Sequence, residues 1–451
     1  MSQEYIAIAI AYGIFSLGLG AFELYRTRIS GPDAITIFIV IFMLQCCLPG
    51  IGIYGSLAAV DPTELTGNSV FDGIYQHLDV TTALVVLTMT IWFAAFFYFG
   101  ASLGGVLLRR LFPTSNCAPY RLEGLENRFV LILFGGLAYT LVSFYLLGDD
   151  IAERFANLVR LRAYDENVVR TEFFAYAYVL TQTWLWLSIP ALFVLFERRR
   201  RGFAWVSILI CAIIFAILSA SRRAIFVPVM LSYFTFLLYD KKWRARLILA
   251  IAIPILALVL YGKEIFATVA FGGAIEAVVE RYESTSSAIL RASSEQGITI
   301  LESLGTLTFL DEHLRLGVDH LLSIAQRFPH RLLGFDIEYP KRIVRISTEA
   351  FSTVDAQDIP PGLLGQMWLD FRVLGPLLWG LAFGLQISAA QFLFTRSERS
   401  LQATALVALV VFLIALPINT GSYDFTFSVD VIAAVVGLML TYRVRRMAAT
   451  R

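Results

Sequence analysis

Eleven apolar stretches divide the 451-residue chain, at 5–22, 34–58, 80–108, 129–147, 173–196, 203–218, 224–239, 247–261, 373–395, 401–418 and 427–442. Crossing about 30 Å of hydrocarbon as a helix takes roughly 20 apolar residues, and each stretch reaches or approaches that length. No water is available there to satisfy an open peptide group, so such segments fold as helices that close all their own backbone hydrogen bonds. None has a charged side chain in its middle. Composition agrees: 58% of residues are hydrophobic and 16% charged, too apolar for a soluble domain. The pattern predicts an all-α polytopic membrane protein of about 11 transmembrane helices. Residues 1–261 carry the first eight, residues 262–372 form a long loop, and residues 373–451 hold the last three and the C-terminus. The opening "MSQEY" supplies no basic n-region and no small-residue cleavage site follows, so the first stretch reads as a retained helix.

Lys and Arg collect on the inner side of a membrane protein. Here they fall at Arg26 and Arg28, in the Arg109–Arg128 segment, in "ERRRRG" (Glu197–Gly202) and in "DKKWRAR" (Asp240–Arg246). Arg396 with Arg399, and the C-terminal "RVRR" (Arg443–Arg446), continue the alternation, whereas loop 59–79 has no Lys or Arg. This places the N-terminus outside and the C-terminus inside, with an odd number of spans. Two outer segments break the rule. One is Asp149–Glu172, with Arg154, Arg160, Arg162 and Arg170; the other is the tight turn bearing Arg222 and Arg223.

Arginines at the outer mouth allow two readings. They snorkel to lipid headgroups from helix ends, or they hold an anion. Both stand for the Arg222–Arg223 pair.

The 262–370 segment is too long for an ordinary connection and reads as functional. Its nine Lys or Arg against fifteen Asp or Glu exclude a nucleic-acid patch, and three of the four histidines lie in it. Between Thr306 and Phe328, apolar Leu310, Leu314, Leu321, Ile324 and Phe328 predict one amphipathic helix lying in the interface. His313, His320 and Arg327 recur every seven residues along its edge. Either these histidines are solvated or one of them moves a proton. Histidines seven apart do not make the i, i+4 pair of a helical zinc site, and no cysteine is near, so no metal is expected. Cys46, Cys47 and Cys211 fall in apolar spans and Cys117 on an inner loop, which implies no disulfide framework. No Walker loop, dinucleotide fingerprint or internal repeat is present, so no nucleotide cofactor is expected.

An enzyme working outside the membrane needs a substrate that arrives activated. A lipid-linked pyrophosphate is the economical form, because the anion is the leaving group. Arginine binds phosphate oxygens in pairs and stays charged at any relevant pH. It would also stabilise the charge that develops as the sugar–phosphate bond breaks.

The "SR" turn opening a helix at Ser219–Pro228, "RFPHRLLGFDIEYP", and "DIPPGLLGQMWLDFRVLGPLLWGLAFG" (Asp358–Gly384) resemble the Wzy-type O-antigen and repeat-unit polymerases of bacterial inner membranes. Pro360, Pro361, Gly365, Gln366 and Gly375 occupy the motif's small-residue and polar places. Two positions depart from it: Gln366 stands where an acid is common, and Arg372 where glycine is expected.

The resemblance implies a GT-C-like, metal-independent, cofactor-free glycosyltransferase in the inner membrane, with a periplasmic N-terminus and a cytoplasmic C-terminus. It would transfer a growing glycan from one undecaprenyl pyrophosphate carrier to a repeat unit on another, among membrane lipid and beside a chain-length regulator. Arg222 and Arg223 would bind pyrophosphate, with Arg160, Arg162, Arg281, Arg327 and Arg331 lining the outer cavity. The proton acceptor would come from His313, Asp319, His320 and His330, with His320 or His330 the first choice. An O-antigen ligase is the close rival, although its usual His-Asn motif is absent here. A polyprenyl-glycan flippase is the more distant one, disfavoured by uncharged span centres and the lack of a repeat.

Overall fold

The computed structural model describes residues 2–59, 69–113, 120–146, 148–151, 153–154, 186–197, 223–242, 297–312, 314–325, 361–397, 399–420 and 429–446. Among these, five helices are long and apolar enough to cross a membrane: Gln3–Ser30, Ala34–Leu57, Val80–Leu111, Leu363–Arg396 and Leu401–Ile418. The chain is therefore a mostly helical, multi-pass membrane protein. Trp186–Glu197 and Val227–Asp240 are shorter apolar helices. The expected spans 203–218 and 247–261 lie outside the described residues. The chain divides into two compact units, the first comprising Met1–Phe112, Glu283–Ala389 and Val411–Ser428, the second Pro113–Tyr282, Ala390–Val410 and Val429–Arg451.

In the first unit, helix α1 (Ser2–Ser30) turns Ile6, Ile10, Ile14, Leu17 and Leu24 outward and buries Tyr5, Ile8, Tyr12, Leu19 and Glu23. An exposed apolar stripe at helical spacing opposite a buried face is the pattern lipid selects. Helix α2 (Ala34–Phe42) opens on a capping box, with Asp33 accepting from the Thr36 amide and Thr36 reaching back to the Asp33 amide. It runs through one π-helical segment, Met43–Cys47, into α3 (Leu48–Leu57), so one span carries a bulge just before Pro49. Gly50 lets α3 approach α1: an added Cβ would stand 2.8 Å from the Tyr12 ring, which itself stacks on Tyr54 at 5.6 Å.

Near the end of α1, Arg26 is clamped by Glu23 at 2.6 Å, Asp33 at 2.7 Å and the Thr36 hydroxyl at 2.8 Å, while Tyr98 donates to Glu23 at 2.8 Å. A buried charge keeps a net favourable energy only when fully partnered. Arg26, read in the sequence as a loop cation, thus joins α1, α2 and α5 (Val80–Leu111) from within the fold. The short α4 (Ser69–His77) precedes α5, and its His77 meets the Phe309 ring edge-on at 5.5 Å.

Helices α5 and α12 (Gly375–Arg396) pack through glycine. A Cβ on Gly100 would lie 2.7 Å from the Leu381 carbonyl oxygen, and one on Gly380 would lie 2.9 Å from the Phe93 oxygen. Ser388 donates to the Ala101 carbonyl at 2.5 Å. Between lipid-solvated helices no hydrophobic effect drives association, so close backbone contact at small residues supplies the attraction. Phe38, stacked on Phe97 at 4.3 Å and tilted against Phe383 at 5.4 Å, fills the space beside this seam.

The long loop contributes α9 (Ile298–Phe309), α10 (Val318–Ala325) and α11 (Leu363–Phe371). Helix α9 is not an interfacial helix. Thr299 through Thr306 are all buried, and it packs on α11, α5, α4 and the π segment. Nor do residues 306–328 form one helix. The chain turns at Leu310–Gly317, where Leu316 (φ 52°) and Gly317 (φ 75°) are left-handed. The apolar spacing continued through a break that only backbone conformation reveals: Leu310 is buried, but Leu314 and Leu321 are 52% and 68% exposed and share no buried stripe with it. Of the expected heptad edge, His320 lies on α10, after the turn, whereas His313 and Arg327 lie outside the described residues.

The second unit holds α6 (Glu126–Tyr145), α7 (Trp186–Glu197), α8 (Arg223–Asp240), the start of α13 (Leu401–Thr420) and α14 (Val429–Thr441). It also contains what a helical reading omits: strand β1 (Tyr120–Gly124) pairs antiparallel with β2 (Tyr442–Arg446). The Gly124 amide donates to Gln402 Oε1 at 2.7 Å, and Tyr442 Oη donates to the Gln402 carbonyl at 3.1 Å. Glu197 accepts the Leu401 amide, Arg399 donates to the Tyr239 carbonyl, and Tyr120 donates to that of Leu393. The basic connections that the sequence assigns to one side of the membrane are thus bonded to one another. Burial raises the pKa of the Tyr442 phenol, so the ribbon's inward tyrosine stays neutral and able to donate.

Candidate functional site

Arg160, Arg162, Arg222, Arg281, Arg327, His330 and Arg331 lie outside the described residues, as does His313. Arg223 is the first residue of α8 and His320 lies on α10, but their side chains are likewise outside the description. What the fold does place is the joint of α9, α10 and α11, in the region that carries the proline–glycine motif.

Gly362 (φ 68°) leads into α11, and any Cβ there would collide with the Thr299 and Ser303 region of α9. That close approach lets the Leu363 amide donate to Thr299 Oγ1 at 3.0 Å, and Thr299 Oγ1 donate to the Ile418 carbonyl at 2.7 Å. Thr306 Oγ1 donates to the Pro361 carbonyl at 3.0 Å. Two hydroxyls of α9, Thr299 and Thr306, thus hold the proline turn, while Ser303 and Thr308 donate to carbonyls of their own helix.

Gln366 and Asp370 follow on the next turns of α11, both fully buried. Gln366 Nε2 donates to Asp370 Oδ1 at 2.9 Å, and the Gly317 amide donates to the same oxygen at 3.0 Å. Among the described residues nothing donates to Gln366 Oε1. A buried acceptor without a donor costs about 1–3 kcal/mol and marks a place where water or a ligand group is expected.

Arg315 adjoins this pair. Its amide donates to the Leu369 carbonyl at 2.8 Å, and its guanidinium holds Asp319 in a two-point pair at 2.7 and 2.8 Å. The Asp319 hydrogen bonds keep the Arg315 pKa above its ordinary value against the opposing effect of burial, with further attraction from the Asp319 and Asp370 charges. Asp319, one of the expected proton acceptors, is thus a counter-ion. At the rim, Arg372 donates to Asp311 Oδ1 at 2.8 Å and lies 5.5 Å from the Trp368 ring centre. Its φ of 53° and ψ of −131° suit glycine, which explains physically why glycine is expected at that place.

A second feature lies at the end of α6. Leu141, Val142, Phe144, Tyr145 and Arg154 line a shallow, open groove of about 420 Å³. Arg154 sits 4.7 Å over the Tyr145 ring, and its Nε donates to the Gly148 carbonyl at 2.7 Å. It belongs to Asp149–Glu172, the basic segment expected from the sequence to be an outer loop, so one of those arginines meets an apolar groove.

Sequence reading singled out neither Arg315 nor Asp370. Arg315 and Asp319 stand at i, i+4, a spacing that signals a helical ion pair. Asp370 is an acid set within "MWLDF", an apolar run where a solvated carboxylate is not expected. Among the described residues no three metal-ligating side chains come together.

No protein family, curated protein or solved structure matches the chain. The functional reading rests on its own residues.

Proposed function

We propose that this protein joins lipid-linked oligosaccharide repeat units, taking donor and acceptor on undecaprenyl pyrophosphate at the periplasmic face of a bacterial inner membrane. The observation that carries the reading is the largely apolar groove on α6 that Arg154 helps to line, on the segment where the sequence gathers arginines against the inside-positive bias. An apolar wall with a guanidinium in its lining suits a polyprenyl chain bearing a diphosphate. In this reading Arg222 and Arg223 complete the anion site with Arg160, Arg162, Arg281, Arg327 and Arg331. A histidine of the long loop, His320 or His330, accepts the proton of the incoming sugar hydroxyl. The guanidiniums supply the main catalytic effect by stabilising the departing diphosphate. The turn held by Arg315–Asp319 and Asp370 belongs to the same long segment of sequence as those histidines.

A carrier-lipid flippase is the second reading. It is favoured by the buried, incompletely bonded Gln366 beside Asp370 and by the π segment Met43–Cys47, since such bulges recur at functional sites.

Deletion of the gene followed by glycan analysis separates the readings. Loss of a polymerase leaves lipid core capped with one repeat, whereas loss of a flippase strands single repeats on the inner face. A ligase defect would instead leave bare core and polymer held on its carrier.

A further inference from the structure

Helix α9 stands at membrane depth. It packs on α4, where Phe309 at its end meets His77 at 5.5 Å, and on the π segment Met43–Cys47. That segment is the middle of the span Ala34–Leu57, so the earlier residues of α9 reach toward the middle of the bilayer. Its 12 residues rise about 18 Å, against about 15 Å for half the hydrocarbon thickness. The turn that follows, Leu310–Gly317, therefore emerges at the membrane boundary.

A second measure, along α12, reaches the same level. Gly375–Arg396 has 22 residues, about 33 Å of helix, which suffices for one crossing. The chain before it folds back sharply, because a Cβ on Gly375 would collide with the Met367 carbonyl. The corner Arg372–Leu374 thus stands at the boundary where α12 begins. Corner and turn are bonded together on this side: Arg372 donates to Asp311 at 2.8 Å, the Arg315 amide to the Leu369 carbonyl at 2.8 Å and the Gly317 amide to Asp370 at 3.0 Å.

Both turn large apolar side chains outward. Leu314, Leu316 and Leu321 are 52%, 62% and 68% exposed, and Val373 and Leu374 are 64% and 59% exposed. Leu374, Leu378 and Leu385 recur at i, i+4 and i+11, so the corner continues the exposed stripe that α12 presents to lipid. The exposed charges of the turn are Asp311 and its neighbour Glu312, and Asp311 accepts from both Arg372 and the Trp368 ring nitrogen. Tryptophan and arginine are side chains that anchor a protein at the membrane–water boundary.

We infer that this joined surface is embedded in the bilayer, with Leu314, Leu316, Leu321, Val373 and Leu374 against acyl chains and Trp368 and Arg372 among headgroups. Membrane lipid is the occupant because the surface runs directly into the lipid-facing stripe of α12 and lies at the depth where that span starts. The long segment between the eighth and ninth expected spans is thereby held down on the membrane at this joint. The surface is independent of the sugar-transfer reading.

The test uses the full chain at one copy per lipid nanodisc, with a nitroxide label on Leu314→Cys or Val373→Cys and wild type labelled in parallel to record the native cysteines. Leu378→Cys on α12 supplies the lipid reference, and Lys242→Cys, exposed in a polar connection, supplies the water reference. Accessibility to oxygen, which concentrates in lipid, is compared with accessibility to a nickel chelate, which stays in water. The oxygen-to-nickel ratio at both test sites should match that of Leu378→Cys and exceed that of Lys242→Cys severalfold. Leu321→Cys and Leu374→Cys replace either site that does not keep the wild-type melting temperature. Nickel accessibility equal to that of Lys242→Cys would overturn the proposal. So would protection seen only in discs holding two copies, which would make the surface a contact between copies.

Discussion

Gln366 and Asp370 stand one helical turn apart on α11 and share a hydrogen bond of 2.9 Å, both wholly shielded from solvent. Because the Gly317 amide donates to the same Asp370 oxygen, that carboxylate pins the α9–α10 turn onto α11. Asp370→Ala leaves two N–H donors buried without an acceptor and should cost about 2–3 kcal/mol. Asp370→Asn retains an acceptor oxygen and should cost about 1 kcal/mol. Denaturant or thermal unfolding in detergent reads the difference; equal losses for Ala and Asn would show that the two N–H bonds contribute little.

Arg372 adopts φ 53° at the joint of α11 and α12, a conformation that costs a non-glycine residue about 1–3 kcal/mol. Its bonds to Asp311 lie at the exposed rim and return less, about 0–1 kcal/mol for the ion pair. Arg372→Gly should therefore leave the protein more stable than Arg372→Ala by about 1–2 kcal/mol, even though both lose the Asp311 contacts. Melting curves of the two variants, in the same detergent, check the order.

Gly384 faces the α5 backbone so closely that an added Cβ would lie 2.5 Å from the Ala101 nitrogen, whereas Gly105 on α5 has nothing within 4 Å. Gly384→Ala should destabilise by about 1–3 kcal/mol through overpacking. Gly105→Ala should be neutral or stabilise by up to about 1 kcal/mol, because alanine is the better helix former. Cross-linking or unfolding assays on the pair separate packing from a general intolerance of glycine loss.

Five of the expected spans were legible because lipid imposes one demand along their whole length. Bonds among Tyr120, Glu197, Tyr239, Arg399 and Tyr442 tie several of the polar connections to one another. Helix α9 was not legible. At twelve residues it is too short to be read as a span, and its Thr299, Ser303 and Thr306 resemble loop residues until their carbonyl partners are seen. The amphipathic pattern across 306–328 misled because hydrophobic spacing does not record a left-handed turn at Leu316–Gly317. The motif around Gly362, Gly365 and Gly375 is, in structural terms, a set of close backbone approaches. It therefore speaks more directly for packing than for chemistry. The small β1–β2 ribbon eluded the reading because "YRLEG" and "YRVRR" gain strand character only by pairing across more than 300 residues of chain.

The central claim is that guanidiniums on the outer side, Arg222 and Arg223 foremost, bind the diphosphate of a carrier lipid during sugar transfer. Its most direct measurement compares lipid-extract glycan ladders from cells carrying Arg222→Ala or Arg223→Ala with wild type, membrane insertion being matched by immunoblot. An anion site of this kind predicts loss of polymer by at least about a hundredfold in each variant, with single repeats accumulating. Full-length ladders from both variants at normal insertion levels would contradict it.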